Sequence, residues 1–296
     1  MDTYKPKTSI PYYFIAIHNE PYHSLPVQYE MIRDSYHILK QMIAKANDYH
    51  IKLTLMFTAQ WADYVSVSSE KMADLESWKN RAHEIAAHHH GIYVPGNWDG
   101  YTDYLEEAII QRTSLRKEPK SYLGVPEKYL GTLKDFINKL KKINPNINSG
   151  CLNDEYDKNQ LPDEIIHDTC GGFASFGEPG KMRPMKEGER GINEFITVGT
   201  YKNIERKWLA HYLINTYERQ EAARRIFNSM NPGVFGVIAH STRNDADQYY
   251  SFLEFLHSMD PSGEKSKTLT EIIDQKLLPE KRIPEEVIML KSGRPR

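Results

Sequence analysis

Three consecutive histidines, His88, His89 and His90, follow the apolar stretch Ile85-Ala86-Ala87. On an extended chain His88 and His90 point to one face and His89 to the other, because side chains alternate along a strand. His18 and Glu20 keep the same period of two. Imidazoles and a carboxylate are ligands suited to Zn²⁺ or a similar divalent ion, so His18, Glu20, His88 and His90 form the candidate metal set. The alternative for the histidine run is a polar loop. A helical zinc-protease motif does not fit, since His83 and His88 stand five apart. That spacing separates them by about 140° around a helix, too far to share one ion from one face.

The pattern recurs along the chain. Apolar segments run into polar groups at Ile17 before His18-Asn19-Glu20, Phe57 before Thr58-Ala59-Gln60-Trp61, and Ile85 before the histidines. The same happens at Leu152 before Asn153-Asp154-Glu155, Gly199 before Thr200-Tyr201, and Ala239 before His240-Ser241-Thr242-Arg243. If these segments are parallel strands of one barrel, their carboxyl ends share a face and the polar groups converge there. Glu20, Asp154 and His240 are then the candidates for proton transfer, His240 because an imidazole titrates near neutral pH. A solvated turn for Asp154 and a capping or core position for His240 are the plainer alternatives. Between Asn97 and Tyr104 aromatic planes mix with short acceptors. Trp61, Trp98 and Tyr101 read as stacking surfaces for a sugar and Asp99 as a hydrogen-bond acceptor for it. An ordinary Asp-Gly turn before a helix capped by Thr102 or Asp103 describes the same residues.

Alternating or continuous apolar runs predict strands at 12–17, 51–57, 84–90, 147–152, 170–176, 195–199 and 234–239. Helical periodicity predicts helices at 27–47, 70–81, 104–116, 129–142, 204–229 and 246–259. In the fifth of these, Trp208, Leu209, Tyr212, Leu213, Tyr217 and Ile226 supply the apolar stripe. Strand and helix alternate, which implies a parallel sheet with helices outside it. The expected fold class is therefore α/β, a single distorted (β/α)7-type barrel with parallel strands and outer helices. An open doubly wound sheet is the alternative.

A chain of 296 residues, 40% hydrophobic, can bury roughly three quarters of its unfolded surface. One domain spanning 1–296 is expected, with a peripheral tail after residue 279. Lysine and arginine number 38 against 40 acidic residues, a formal charge of -2, so no basic face calls for nucleic acid. No apolar run approaches the roughly 18 residues of a membrane span, and Met1 to Thr8 is polar and mixed in charge, so an unexported protein is expected. A cytoplasmic protein with no membrane partner is expected. Cys151 and Cys170 lie in or beside apolar runs and are expected to be reduced. No phosphate-binding glycine loop is present.

The segment His83-Glu84-Ile85-Ala86-Ala87-His88 resembles the signature of the polysaccharide deacetylases, which ends in a metal-binding histidine, and Gly236-Val237-Ile238-Ala239-His240 resembles their last strand with its terminal catalytic histidine. His18, Glu20 and Pro21 stand where that family has paired aspartates. The resemblance runs from about Tyr12 to Ile273 and extends to the related seven-stranded barrel glycosidases. Three positions depart from the pattern. Ile92 replaces the second histidine, His18-Asn19-Glu20 replaces the aspartates, and Arg183 in Met182-Arg183-Pro184 is a displaced form of the arginine-proline motif. The His-x-acid arrangement is also similar to the zinc motif of the α-mannosidase branch.

The resemblance implies a divalent ion, Zn²⁺ foremost, on His18, Glu20, His88 and His90, activating water against a carbonyl. Glu20 or Asp154 would take a proton, and His240 would protonate the leaving amine. Three functions fit: a metal-dependent hydrolase of a carbohydrate amide or ester, a glycosidase using Asp154 or Glu155, and a noncatalytic carbohydrate-binding protein on a degenerate barrel.

Overall fold

The computed structural model describes residues 10–20, 26–91, 98–103, 129–152, 161–169, 189–230 and 232–284. The chain begins with strand β1 (Tyr12–Asn19), helix α1 (Pro26–Asp48) and β2 (Leu53–Phe57). Two helices, α2 (Ala59–Ser66) and α3 (Ser69–Asn80), lead to β3 (Glu84–His89). Helix α4 (Leu133–Leu140) then precedes β4 (Ser149–Leu152) and the two-residue β5 (His167–Asp168). Short β6 (Ile192–Asn193) is followed by β7 (Ile196–Tyr201), β8 (Ile204–Trp208) and β9 (Tyr212–Leu213). The chain continues through α5 (Tyr217–Ser229), β10 (Val234–His240), α6 (Arg243–Met259), α7 (Leu269–Asp274) and β11 (Glu280–Arg282).

All strands belong to one sheet, in which the run β8-β5-β4-β3-β2-β1-β10 is parallel throughout. Only Leu209 to His211 separate β8 from β9, yet β8 pairs with β5 at one end of that run while β9 pairs in parallel with β10 at the other. The segment from Ile204 to Leu213 therefore brings the two edges of the sheet together. Counting it once, the circle has seven positions: β1, β2, β3, β4, β5, the β8–β9 segment and β10. The fold class is the expected one, a curled, mostly parallel sheet with helices around it.

Two apolar layers hold the curl. The outer layer joins Ile15, Ile17, Leu53, Leu55 and Phe57 to the inward stripes of α1, α2, α4, α5 and α6. The inner layer takes the alternate strand positions, Phe14, Ala16, Met56, Ala86, Cys151, Leu209, Val234 and Ile238, and is closed below by Leu269, Ile272 and Ile273 of α7. Glu84 fastens that plug. Its carboxylate accepts from Ser149 Oγ and Thr270 Oγ1, both at 2.5 Å, and from Thr54 Oγ1 at 3.0 Å. Space inside the curl is tight at Gly236, where an added Cβ would lie 2.4 Å from both the Phe14 ring and the carbonyl oxygen of Ala210.

Two expectations about elements are corrected. Residues 204–208 and 212–213 are strands and the helix starts only at Tyr217, after the Thr216 cap. The pairs Trp208-Leu209 and Tyr212-Leu213 repeat every four residues, which imitates a helix, but Arg206 and Trp208 are both buried on one face of a strand. The strand expected at 195–199 exists as β7, but it runs antiparallel to β8. Its carboxyl end, with Thr200 and Tyr201, therefore lies at the opposite end of the sheet from the other candidates. The hairpin turns on Lys202 and Asn203, both with positive φ (51° and 62°), as a tight turn between twisted strands requires. The strand expected at 170–176 and the helix expected at 104–116 lie outside the described residues, and β5 is a strand the sequence did not suggest. The tail after Pro279 starts as the exposed strand β11, paired with β7 at the edge. No helix among the described residues is long and apolar enough to cross a membrane.

His83, part of the signature read from the sequence, sits before β3 at the lower end of the barrel. Its Nδ1 accepts from Leu53 N at 3.0 Å and its Nε2 donates to Asn47 Oδ1 at 3.1 Å, tying α1 to β2. Burial, with the Arg81 charge second, pulls its pKa down to about 4. The unfolded chain takes up the proton first as pH falls below the ordinary value of 6.5, so the stabilising effect present above that pH is lost on acidification towards 4. By pH 5 the loss should reach about 2 kcal/mol. Urea unfolding at pH 7 and pH 5 should show that much less pH dependence in His83→Gln than in the wild type. Gly236→Ala should lower stability by about 1–3 kcal/mol at pH 7, because the added methyl overpacks the barrel interior.

Candidate metal centre

The inner strand positions change character at the carboxyl ends of the strands. Phe14 and Ala16 are followed at the same period by His18 and Glu20, Ala86 by His88 and His90, Leu209 by His211, and Ile238 by His240. The alternation that fills the barrel with apolar groups thus lines its mouth with imidazoles. His18 and Glu20 are 3% and 2% exposed, and His88 is equally buried.

Glu20 is the centre of the group. Its Oε1 lies 2.6 Å from His88 Nε2, 2.8 Å from His90 Nε2 and 4.0 Å from His240 Nε2, and the two Nε2 atoms of His88 and His90 are 3.0 Å apart. Burial by itself would raise the carboxyl pKa. The charges of His90 and His240, with hydrogen bonds from His88 and His90, outweigh it and hold Glu20 well below the usual carboxylate range. His18 is pushed far down by burial, then by His88, His211 and His240, and burial lowers His88 as well. Burial thus disfavours charge on His18 and His88 beside a carboxylate, the protonation states that metal ligands need.

Tautomers sharpen this. His88 Nδ1 faces the Cys151 carbonyl oxygen at 3.1 Å and must donate to it, so a neutral His88 turns the lone pair of Nε2 towards Glu20 at 2.6 Å. With a proton on Nε2 that contact is a hydrogen bond; without one, two lone pairs are opposed, and a divalent ion bound by both atoms as they move apart relieves them. Ligand atoms of Glu20, His88 and His90 lie within 4.8 Å of one another, as do those of His18, Glu20 and His240. The donor set therefore fits a divalent ion, with the Cys151 carbonyl fixing His88 from behind as outer partners of metal-bound histidines do. The four ligands read from the sequence do not converge as one quartet. His18 lies over His88 at a tilt, ring centroids 3.9 Å apart and planes at 31°.

His240 is held differently. Asp245 stands third in α6, where a carboxylate ordinarily reaches back to the helix cap. Here its Oδ2 accepts from the backbone N of His240 at 2.9 Å and from Nδ1 at 2.7 Å, while its Oδ1 accepts from the Thr242 hydroxyl at 3.3 Å, which makes no capping bond to the helix backbone. The imidazole is thereby fixed with Nε2 towards Glu20. Burial would lower its pKa, but the negative charges of Glu20 and Asp245 prevail and raise it.

The expected sugar contacts are elsewhere. Trp61 is fully buried, with its ring against Phe57, Tyr36 and Tyr64. Trp98 donates from Nε1 to the Tyr101 carbonyl oxygen at 2.9 Å, and Tyr101 packs against Phe136. Asp99 accepts from the Tyr101 backbone N at 3.1 Å and from His89 Nδ1 at 2.7 Å. These residues build the wall behind the centre and present no open face to a sugar. Asp103 accepts from Leu133 N at 3.0 Å, at the start of α4. Asp154, Glu155 and Arg183 lie outside the described residues.

Sequence reasoning missed three residues. His211 was hidden inside the false helical stripe, although Leu209-Ala210-His211 repeats the apolar-to-imidazole pattern. Asp245 carries no signal until α6 is known to start at Arg243. Asp168 ends a strand too short to leave a pattern, and its Oδ1 accepts from Leu152 N at 3.0 Å.

No protein-family model matches the sequence, and no curated protein matches it. Among solved structures, the Xyl-CE4 domain of a multidomain xylanase from the hindgut metagenome of Trinervitermes trinervoides is 9% identical, covering 97% of this chain and 94% of that one with a TM-score of 0.37. The 4-alpha-glucanotransferase from Thermococcus litoralis is 12% identical, covering 97% of this chain and 41% of that one with a TM-score of 0.36. Both likenesses are remote.

Asp99→Ala should test the structural role of the wall. Removing the partner of buried His89 should cost about 1–3 kcal/mol, read as a lower urea midpoint, whereas an unchanged midpoint would return Asp99 to the candidate ligand contacts.

Proposed function

We propose that this protein is a metal-dependent hydrolase of a carbohydrate amide or ester, deacetylase-like in its chemistry. The observation that carries the hydrolase reading is the opposition of buried His88 Nε2 and Glu20 Oε1 at 2.6 Å, beside a histidine oriented by its own carboxylate. Glu20, His88 and His90 are the ligands in this reading, and Zn²⁺ the ion their nitrogen and oxygen donors favour. A divalent ion there supplies Lewis acidity, making water more acidic and polarising a carbonyl oxygen.

The chain's own residues supply the proton traffic. Asp245 keeps the proton on His240 Nδ1, so exchange takes place at Nε2, the nitrogen that faces the mouth. A raised pKa keeps part of His240 protonated near neutral pH, ready to donate from Nε2 to a departing amine or alkoxide. Glu20 acts as ligand, and Asp154 remains the candidate base. The substrate class rests on the motifs at His83 to His88 and Gly236 to His240, because Trp61, Trp98, Asp99 and Tyr101 are engaged in the fold. A small-molecule carbohydrate substrate, with no nucleic acid or membrane partner, agrees with the near-neutral charge.

A glycosidase is less well supported. It needs two carboxylates across the scissile bond, and among the described residues Asp99, Asp168 and Asp245 are each tied to a neighbouring backbone or imidazole group. A purely binding protein has no use for the His240–Asp245 pair. Acetate release from acetylated glucosamine or xylose oligomers should cease on chelation and return with Zn²⁺. His240→Ala should slow it by about 10²–10⁴-fold with the ion retained. Undiminished activity after chelation, or new reducing ends without acetate, would overturn the reading.

A further inference from the structure

The geometry points to a second cation site deeper in the barrel mouth, formed by His18, Cys151 and His211 and selective for a thiophilic divalent ion. Ligand atoms of these three residues lie within 4.8 Å of one another. Zinc binds sulfur at about 2.3 Å and nitrogen at about 2.0 Å, so ligand atoms around one ion sit roughly 3.3–3.8 Å apart and side-chain shifts of about 1 Å close the set. His18 and Cys151 are buried and His211 half-buried, which leaves a path from solvent.

His18 supplies the independent observation. Its Nε2 is buried and makes no hydrogen bond among the described residues, and a buried nitrogen left unpaired is destabilising unless something binds there. A small apolar cysteine in a filled barrel would not need two imidazoles beside it. Competition for His18 is settled by its neighbours. Glu20 is engaged by His88 and His90, and His240 by Asp245, so the remaining set for His18 is Cys151 and His211. The donors also differ in kind. Glu20 with two histidines suits several divalent ions, whereas a thiolate with two imidazoles favours Zn²⁺ among them. Cys151 loses its thiol proton to solvent when the ion binds.

The two sites meet at one residue. Cys151 pairs with His88 in the β3–β4 register, and its carbonyl oxygen receives His88 Nδ1 while its sulfur lies among the inner-layer side chains. An ion on His18, Cys151 and His211 would link β1, β4 and the β8–β9 segment, three elements that do not adjoin one another in the sheet. It would thus clamp the place where the sheet closes. This site goes beyond the hydrolase reading and does not depend on it.

Reconstitution with Co²⁺ tests it. Wild-type protein should take up two equivalents and show a thiolate-to-cobalt charge-transfer band in the near ultraviolet. Cys151→Ser and His211→Ala should each drop to one equivalent, and Cys151→Ser should lose the band. His88→Ala should keep the band while losing the other ion. The metal-free Cys151→Ser and wild-type proteins should melt together, with the variant gaining less from added Zn²⁺. A saturated wild type without the band, or a band that survives Cys151→Ser, overturns the second site and leaves the hydrolase untouched. Full metal content in His88→Ala would instead overturn the ligand set of the hydrolase while the band upheld the thiolate site.

Discussion

Glu20 keeps a negative charge at a point almost closed to water, and the rest of the mouth is arranged around that burden. Removing a carboxylate from water costs several kcal/mol unless partners replace its hydration. Three imidazole Nε2 atoms approach the same oxygen, at 2.6, 2.8 and 4.0 Å. Each needs orienting, because an imidazole turned by half a revolution presents the wrong nitrogen. The Cys151 carbonyl does this for His88 and Asp245 for His240. The arrangement therefore extends outward into backbone and helix termini, and burial keeps His18 and His88 neutral.

The barrel supplies the precision. A strand holds alternate side chains on one face at fixed rise, so the same register that seats Phe14 and Ala16 inside also seats His18 and Glu20. Below, α7 and the Glu84 hydrogen bonds close the interior. Above, the imidazoles do, and the apolar filling between excludes water from both. Gly236 shows how little slack remains, with Phe14 and Ala210 occupying the space of a side chain. Rigid packing under the mouth is what allows imidazoles and a carboxylate from distant strands to be held at hydrogen-bond distances.

Much of this was legible before any coordinates. Alternation of strand-like and helix-like periods marked β1, β2, β3, β4 and β10, and strand ends rich in histidine marked the mouth. The failures share a cause. Strands β5 and β8 are short and polar or mixed, and their identity comes from partners far along the chain, which no local window contains. Trp61, Trp98 and Tyr101 illustrate the complementary error: an aromatic residue looks the same in sequence whether its ring faces a ligand or a core.

What the chain determined by itself was periodicity: which side chains share a face, where apolar runs stop, and that His88 and His90 must point together while His89 turns away towards Asp99. Those follow from backbone geometry alone, and they are local. Tertiary structure decided the meetings: His88 with Glu20, His240 with Asp245, His18 with Cys151 and His211. Such meetings depend on strand order, on the closure through Ile204 to Leu213 and on the height at which each strand ends. Each is set by packing over the whole barrel, so residues far apart in sequence become neighbours only when the sheet has curled shut.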